Sequence, residues 1–190
     1  MNTPMTEGPS RMSRRSVVVA GSAVLALNAC ASDGGPNPKL ETEARRALQE
    51  LEVKNAGARA IASRARAVLV FPRVTRAAFV FGGQGGRGVM FRGGQPAGQY
   101  QFTGVTWGFS AGVQAFSYAL YFMNEAGLAS LESAKGWEFG VGPTVVVVDA
   151  GKAAQLTTTT AFDDVYAFVW GQQGLMAGVD LQGSKISKVK

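Results

Sequence analysis

The sequence predicts an α+β domain: a strongly curved, mostly antiparallel sheet or partly closed barrel, with an amino-terminal amphipathic helical region and a short second helix. Three observations predict it. Apolar residues recur at three and four positions from Leu40 to Ala65, the period of one helix face. After Ala67 the pattern changes to β-branched and aromatic runs, which suit a pleated, half-buried surface. Glycines recur inside those runs, where they mark strong curvature or close backbone approach.

Taken in order, the chain opens with an address. Residues 1–29 have the layout of a signal peptide: a segment ending in Arg14 and Arg15, eleven uncharged residues from Val17 to Leu27, then a cleavage region. The apolar run is well short of the roughly 20 residues that span a bilayer. Leu27, Asn28 and Ala29 before Cys30 resemble a bacterial lipobox, so Cys30 is expected to be the lipidated residue of the mature protein. Ser13 to Val18 also look like a twin-arginine signal. Val19 stands where a lysine is frequent, which leaves general secretion open. Ala31 after the cysteine favours the periplasmic face of the outer membrane if the source has two membranes. Residues 30–38, small, polar and rich in Gly and Pro, read as a lipidated flexible tether, and residues 39–190 as the domain.

The domain begins with Asn37 as a helix cap and Pro38 in the first turn. Leu40, Ala44, Ala47, Leu48, Leu51, Ala58, Ile61, Ala62 and Ala65 form the apolar face, with Glu41–Arg45 and Glu50–Lys54 as i,i+4 pairs. Gly57 is expected to bend or divide this helix. Strands follow at "AVLVF", "AAFVFGG", "RGVMFR" and the run from Gly98 to Met123. "NEAGLASLESA" suits a short helix, and further strands lie around "EFGVGPTVVVVDA", "DVYAFVWG" and "GLMAGVDLQGSKIS". Val145 to Val148 predict a strand buried on both faces, and the alternation of Tyr166, Phe168 and Trp170 an aromatic face turned to the core.

The chemistry available is limited. There is no histidine in 190 residues, which removes Ser/His and Cys/His catalysis and the commonest zinc ligand. A single cysteine excludes an intramolecular disulfide or a multi-cysteine metal site. Asp149, Asp163, Asp164 and Asp180 are the carboxylates that could pair. Asp163 and Asp164 read better as the turn before a strand, and 157–160 as ordinary β-formers. Ser184 and Lys185, as strand neighbours, point to opposite faces. No catalytic residue, metal or cofactor is expected.

Gly83, Gly85 and Gly88 have the G-x-G-x-x-G spacing of a dinucleotide loop. That loop needs a helix directly after it and an acid about twenty residues on. "VMFRGGQ" follows instead, and no acid occurs between Val53 and Asn124. "GGQGGRG" is therefore expected to be a hairpin connection, its glycines supplying positive φ or close strand approach.

The same acid-free window holds Lys54, Arg59, Arg64, Arg66, Arg73, Arg76, Arg87 and Arg92. From Cys30 onward 16 basic residues face 12 acidic ones, a net +4 whose positive part lies in this segment. A lysine or arginine near an anionic membrane contributes about 1 kcal/mol, so the segment can orient a tethered domain on acidic lipid. The competing reading is solubility, with the arginines on different faces. Nucleic acid is not an expected partner, because no recognition motif is present.

"AVLVFPRVTRAAFVFGGQGGRGVMFRGG", "WGFSAGVQAFSYALYFMN", "GWEFGVGPTVVVVDAG" and "TTTTAFDDVYAFVWGQQGLMAGVDLQGSKIS" resemble the bacterial branch of the SYLF family, over roughly residues 39–190. The resemblance implies a compact α+β domain with a basic amino-terminal region that contacts anionic lipid. Headgroup-binding candidates are Arg59, Arg64, Arg66, Arg73, Arg76, Arg87 and Arg92. Yeast and animal members are also described as actin-binding, a partner not expected in a bacterial envelope. The expected function is thus a non-enzymatic, membrane-anchored lipoprotein that binds anionic phospholipid. The alternative is an assembly lipoprotein that binds another envelope protein through exposed aromatic strands, with Tyr166, Phe168 and Trp170 as the residues to inspect.

Overall fold

A computed structural model describes residues 37–133, 137–138, 145–148 and 163–189, without the side chains of 109–110, 137–138 and 176–183. The expected signal peptide, Cys30, the tether up to residue 36, Asp149 and residues 157–160 lie outside the described residues.

Helix α1 (Pro38–Lys54) starts as its sequence dictates: the Asn37 side chain accepts from the Leu40 N–H at 3.1 Å, with Pro38 in the first turn. Leu40, Ala44, Ala47 and Leu51 are buried at helical spacing, and each leucine so buried contributes about 2 kcal/mol. The break before α2 (Ala56–Ala62) is at Asn55, not at Gly57. Asn55 leaves helical geometry, its N–H donates to Leu51 O at 2.8 Å, and its side chain caps α2 by accepting from the Ala58 N–H at 3.0 Å. A residue able to cap both ways ends one helix and starts the next. Gly57 is buried in the first turn of α2. Of the two expected i,i+4 pairs, Lys54–Glu50 forms at 2.7 Å, whereas Arg45 reaches Gly94 O at 2.9 Å.

Three long strands follow: β1 (Ala67–Arg92), β2 (Gln95–Phe122) and, after helix α3 (Glu125–Glu132), the last strand. Between α3 and that strand come β3 (Trp137–Glu138) and β4 (Val145–Val148), and the chain then enters β5 (Val165–Lys188). The sheet order is β1-β2-β5-β3, with β4 parallel to β5 and every other pairing antiparallel. The 28 residues of β2 would span roughly 90 Å if straight, against a domain width of about 40 Å for this size. The strands must therefore bend. They do so at register shifts between Phe71 and Val74, Phe79 and Phe81, and Ala115 and Ser117, the extra residues that bulges insert to turn a sheet. The expected curled, mostly antiparallel sheet is present.

The glycine-rich stretch differs from expectation. Residues 82–88 are not a hairpin connection; they continue β1 and pair with residues 100–106 of β2. The hairpin turn is Gly93–Gly94, with φ of +55° and +77°, the two positive values a tight two-residue turn demands. Strand β1 instead folds over at Val80, whose φ is +65°, so that its second limb (81–92) lies against its first (67–79). A Cβ on Gly88 would stand 2.5 Å from the Phe71 ring and 2.6 Å from Val70 O, and one on Gly86 2.5 Å from Arg73 O. Close approach is thus the reason for these glycines. No helix follows them, so the dinucleotide reading fails in the structure as it does in the sequence.

Two apolar clusters hold the fold. One lies between α1, α2 and the sheet, around Leu51, Ile61, Val70, Tyr121 and Phe168; the other lies on the opposite face, around Phe71, Met90, Phe102, Leu120 and Leu131 of α3. Asn124 caps α3 by accepting from the Gly127 N–H at 2.9 Å, and its amide donates to Asp164, fixing α3 to the start of β5. Tyr166 and Phe168 are buried and Trp170 packs against the first cluster, so the aromatic alternation is core, as expected. Val145–Val148 is not buried on both faces. Val147 is 56% exposed, because β4 lies outside the three long strands: Val146 and Val148 pack on the first cluster, but on the other face only Val145, at the start of the strand, reaches the second.

One buried contact has a pH signature. The Tyr121 hydroxyl donates to Glu52 Oε1 at 3.4 Å. Burial raises the Glu52 carboxyl above its ordinary 4.5, and the hydrogen bond from Tyr121 opposes this. A raised carboxyl favours folding while it is protonated, and that contribution is lost as pH rises from 4.5 through the folded-state value. The melting temperature of Glu52→Gln should therefore fall less than that of the native chain over this interval; identical pH profiles would refute the assignment.

Candidate functional site

The acid-free window folds into α2 and the β1–β2 ribbon. Arg59 lies in the last turn of α2, Arg64 in the turn that follows and Arg66 just before β1, all three exposed. Arg66 sits 4.0 Å from Glu125. Arg73 follows Pro72 at the first bulge and is exposed; Arg76, opposite Gln114, and Arg87, opposite Gln101, are half-buried. Arg92 closes β1 beside the hairpin turn, 2.6 Å from Glu132. Burial, followed by the charge of Glu132, raises the phenol of neighbouring Tyr100 above its usual range, with Arg92 opposing.

The fold brings some of these residues together. The close approach of Gly86 to the Arg73 carbonyl places Arg73 and Arg87 at one level of the two β1 limbs, with Arg76 three residues nearer the bend and on the other face of its strand. Arg92 stands apart at the hairpin end, where Arg45 also lies, its guanidinium 5.0 Å from the centre of the Phe91 ring. Arg66 and Arg92 face carboxylates of α3.

Two features escaped the sequence reading. The first is Arg46, which with Arg73 lines a 360 Å³ cleft between α1 and the sheet, alongside Glu43, Glu50, Ser117 and Gln173. Arg46 precedes the acid-free window, among the acids of α1, so charge counting passed over it. The second is the bend. Phe79 is 80%, Phe81 71%, Trp107 61% and Leu175 89% exposed, and the Phe81 and Trp107 rings stack at 6.5 Å. The sequence carried no distinguishing signal for it: "AVLVF" is an equally apolar run and is buried, its alternate residues entering the two clusters.

Of the carboxylates considered for catalysis, Asp163 and Asp164 have structural partners; Asp149 and the Asp180 side chain lie outside the description. Asp163 Oδ2 accepts from the Tyr166 hydroxyl at 3.1 Å and Asp164 accepts from Asn124, at the turn into β5 where the sequence placed them. Among the described residues no group of three or more His, Cys, Asp or Glu could hold a metal ion. No helix among them is long and apolar enough to cross a membrane.

Residues 103–190 match the model of the Ysc84 family, described as Las17-binding protein actin regulator. The match begins within β2 and runs through α3, β3, β4 and β5, and the seven candidate arginines precede it. No curated protein matches the chain. Over residues 103–190, then, the chain is similar to the Ysc84 (SYLF) family.

Proposed function

We propose that this protein is a membrane-surface module: exported, acylated at Cys30, and binding anionic phospholipid headgroups through the cations of the β1 ribbon and α2. Its family is lipid-binding or actin-related and is not a known enzyme family, which is consistent with a binding role without catalysis. The observation that carries the reading is the run of eight basic residues and no acid between Val53 and Asn124, of which Arg73, Arg76 and Arg87 fall on the two limbs of one folded ribbon. Within it Arg59, Arg64, Arg73, Arg76 and Arg87 are the principal contacts. Arg66 and Arg92 also face carboxylates, Glu125 and Glu132.

The family description concerns actin regulation in its named members. A chain exported behind the leader read here would not meet actin. The alternative of an envelope-protein partner docking on Tyr166, Phe168 and Trp170 loses its surface, because the first two are buried and the third packs on the core.

Flotation of the chain from Ala31 onward tests the proposal. Binding is expected to vesicles of phosphatidylcholine with phosphatidylglycerol and not to phosphatidylcholine alone. It should weaken sharply as salt shortens the screening length from about 10 Å at 0.1 M to about 3 Å at 1 M. Equal flotation on both vesicle types would rule the proposal out.

A further inference from the structure

The bend of the folded ribbon is uncovered and apolar. At Val80 the β1 chain turns back on itself, and there Phe79 pairs with Ala111 and Phe81 with Trp107, while Val113 pairs with Leu175 across β2 and β5. Phe79, Phe81, Trp107, Val113 and Leu175 are all more than half exposed. Scattered surface apolar residues need no explanation, but a contiguous group of this size marks an interaction surface.

We infer that this bend is a wedge that enters a lipid bilayer at the boundary of headgroups and acyl chains, while the cations behind it hold the headgroups. The inference rests on the proposed lipid binding and names the part of the surface that penetrates. Charge complementarity selects the occupant. Arg73 and Arg87 stand behind the tip along the two limbs, while Arg76, one register position from the Val113–Leu175 row, turns to the other face of its strand. From residue 73 to 122 there is no acid, and on β5 the acidic residue within this end of the ribbon is Asp180, opposite Gly108.

A surface with an apolar tip, aromatic rings and a collar of guanidinium groups matches the depth profile of a membrane interface. Aromatic rings settle at the headgroup level there and cations reach the phosphates. A second copy of the chain would bring the same cations against one another. It is therefore disfavoured.

The test uses the full chain with Cys30→Ser, carrying a polarity-sensitive nitrobenzoxadiazole label on Leu175→Cys, and a matching sample labelled at Gln95→Cys beside the hairpin turn. With phosphatidylcholine/phosphatidylglycerol vesicles, the label at 175 should shift to the blue and be quenched by brominated acyl chains. The label at 95 should stay aqueous. Phe79→Ser with Phe81→Ser, at positions already exposed, should weaken vesicle binding about tenfold or more, each ring being worth a Phe burial, and, with no charge changed, leave the salt dependence unchanged.

If flotation still depends on Arg73, Arg76 and Arg87 but the label at 175 remains aqueous, the wedge is refuted and the electrostatic reading stands. If replacing those arginines leaves flotation on anionic vesicles unchanged and neither label responds, the proposed function falls and the wedge with it. A blue shift at 175 without vesicles that grows with protein concentration would assign the bend to a second copy and overturn the inference.

Discussion

Gly88→Val should unfold or severely destabilise this protein, whereas Gly83→Ala and Gly85→Ala should leave its melting temperature unchanged or slightly raised. The contrast comes from what a side chain would meet. At Gly88 a Cβ lies 2.5 Å from the Phe71 ring and 2.6 Å from the Val70 carbonyl oxygen, and one of these is backbone that cannot rotate away. Overpacking a core ordinarily costs about 1–3 kcal/mol. Here the added groups must also separate two limbs of one strand, so a loss of about 3 kcal/mol or more is expected, or roughly 10 °C in a domain of this size.

At Gly83 and Gly85 the nearest atoms are carbonyl oxygens 3.8 Å and 3.6 Å away, ordinary contact distances. Replacing glycine there reduces the backbone entropy lost on folding by roughly 0.5–1 kcal/mol. Thermal melts of the three variants decide the matter. A phosphate-cradling loop would require its first two glycines, Gly83 and Gly85, most strictly, the reverse of the order expected from packing. Equal tolerance at all three positions would sink the close-approach account.

The second large effect is electrostatic. Replacing Arg73, Arg76 and Arg87 together with glutamine should lower affinity for anionic vesicles on the order of 100-fold, three cations at about 1 kcal/mol each. The slope of binding against salt should flatten in parallel. The same change at Arg66 and Arg92 should cost much less affinity, because the first precedes the ribbon and the second closes its hairpin end, away from the bend; each faces a carboxylate, at 4.0 Å and 2.6 Å. It should cost at most about 1 kcal/mol of stability, as exposed ion pairs do. Vesicle titrations at two salt concentrations, with circular dichroism to establish folding, separate the two sets. Equal losses from both would mean that net charge alone, and not placement on the ribbon, governs binding.

Helix α1 was legible because its information is local. Asn37, Pro38 and the spacing of Leu40, Ala44, Ala47 and Leu51 specify cap, start and buried face within a few residues of one another. The short helix α3 and the two-residue alternation of Tyr166 and Phe168 were legible for the same reason. The division of the first helix was expected at Gly57 on propensity, but Asn55 decided it by offering its side chain to the next helix. The strands around the glycines were the least legible. Glycine in a strand and glycine in a turn look alike in sequence, and which one obtains depends on whether a partner strand and a second limb lie beside it.

The candidate site divides in the same manner. The cationic composition of residues 54–92 follows from the sequence alone. That Arg66 and Arg92 are drawn off by α3, or that Arg46 joins Arg73 across a cleft, depends on residues tens of positions away.

By itself, then, the sequence determined the class of fold, the start of the first helix, the aromatic core of β5, the absence of histidine and the sign of the charge on the first strands. The tertiary structure decided that β1 runs unbroken through its glycines, turns at Val80 and leaves Phe79, Phe81 and Trp107 in the open. The physical reason is that a strand of 26 residues is too long for the domain that contains it. Where it bends, and what the bend exposes, is settled by non-local packing of one limb on the other.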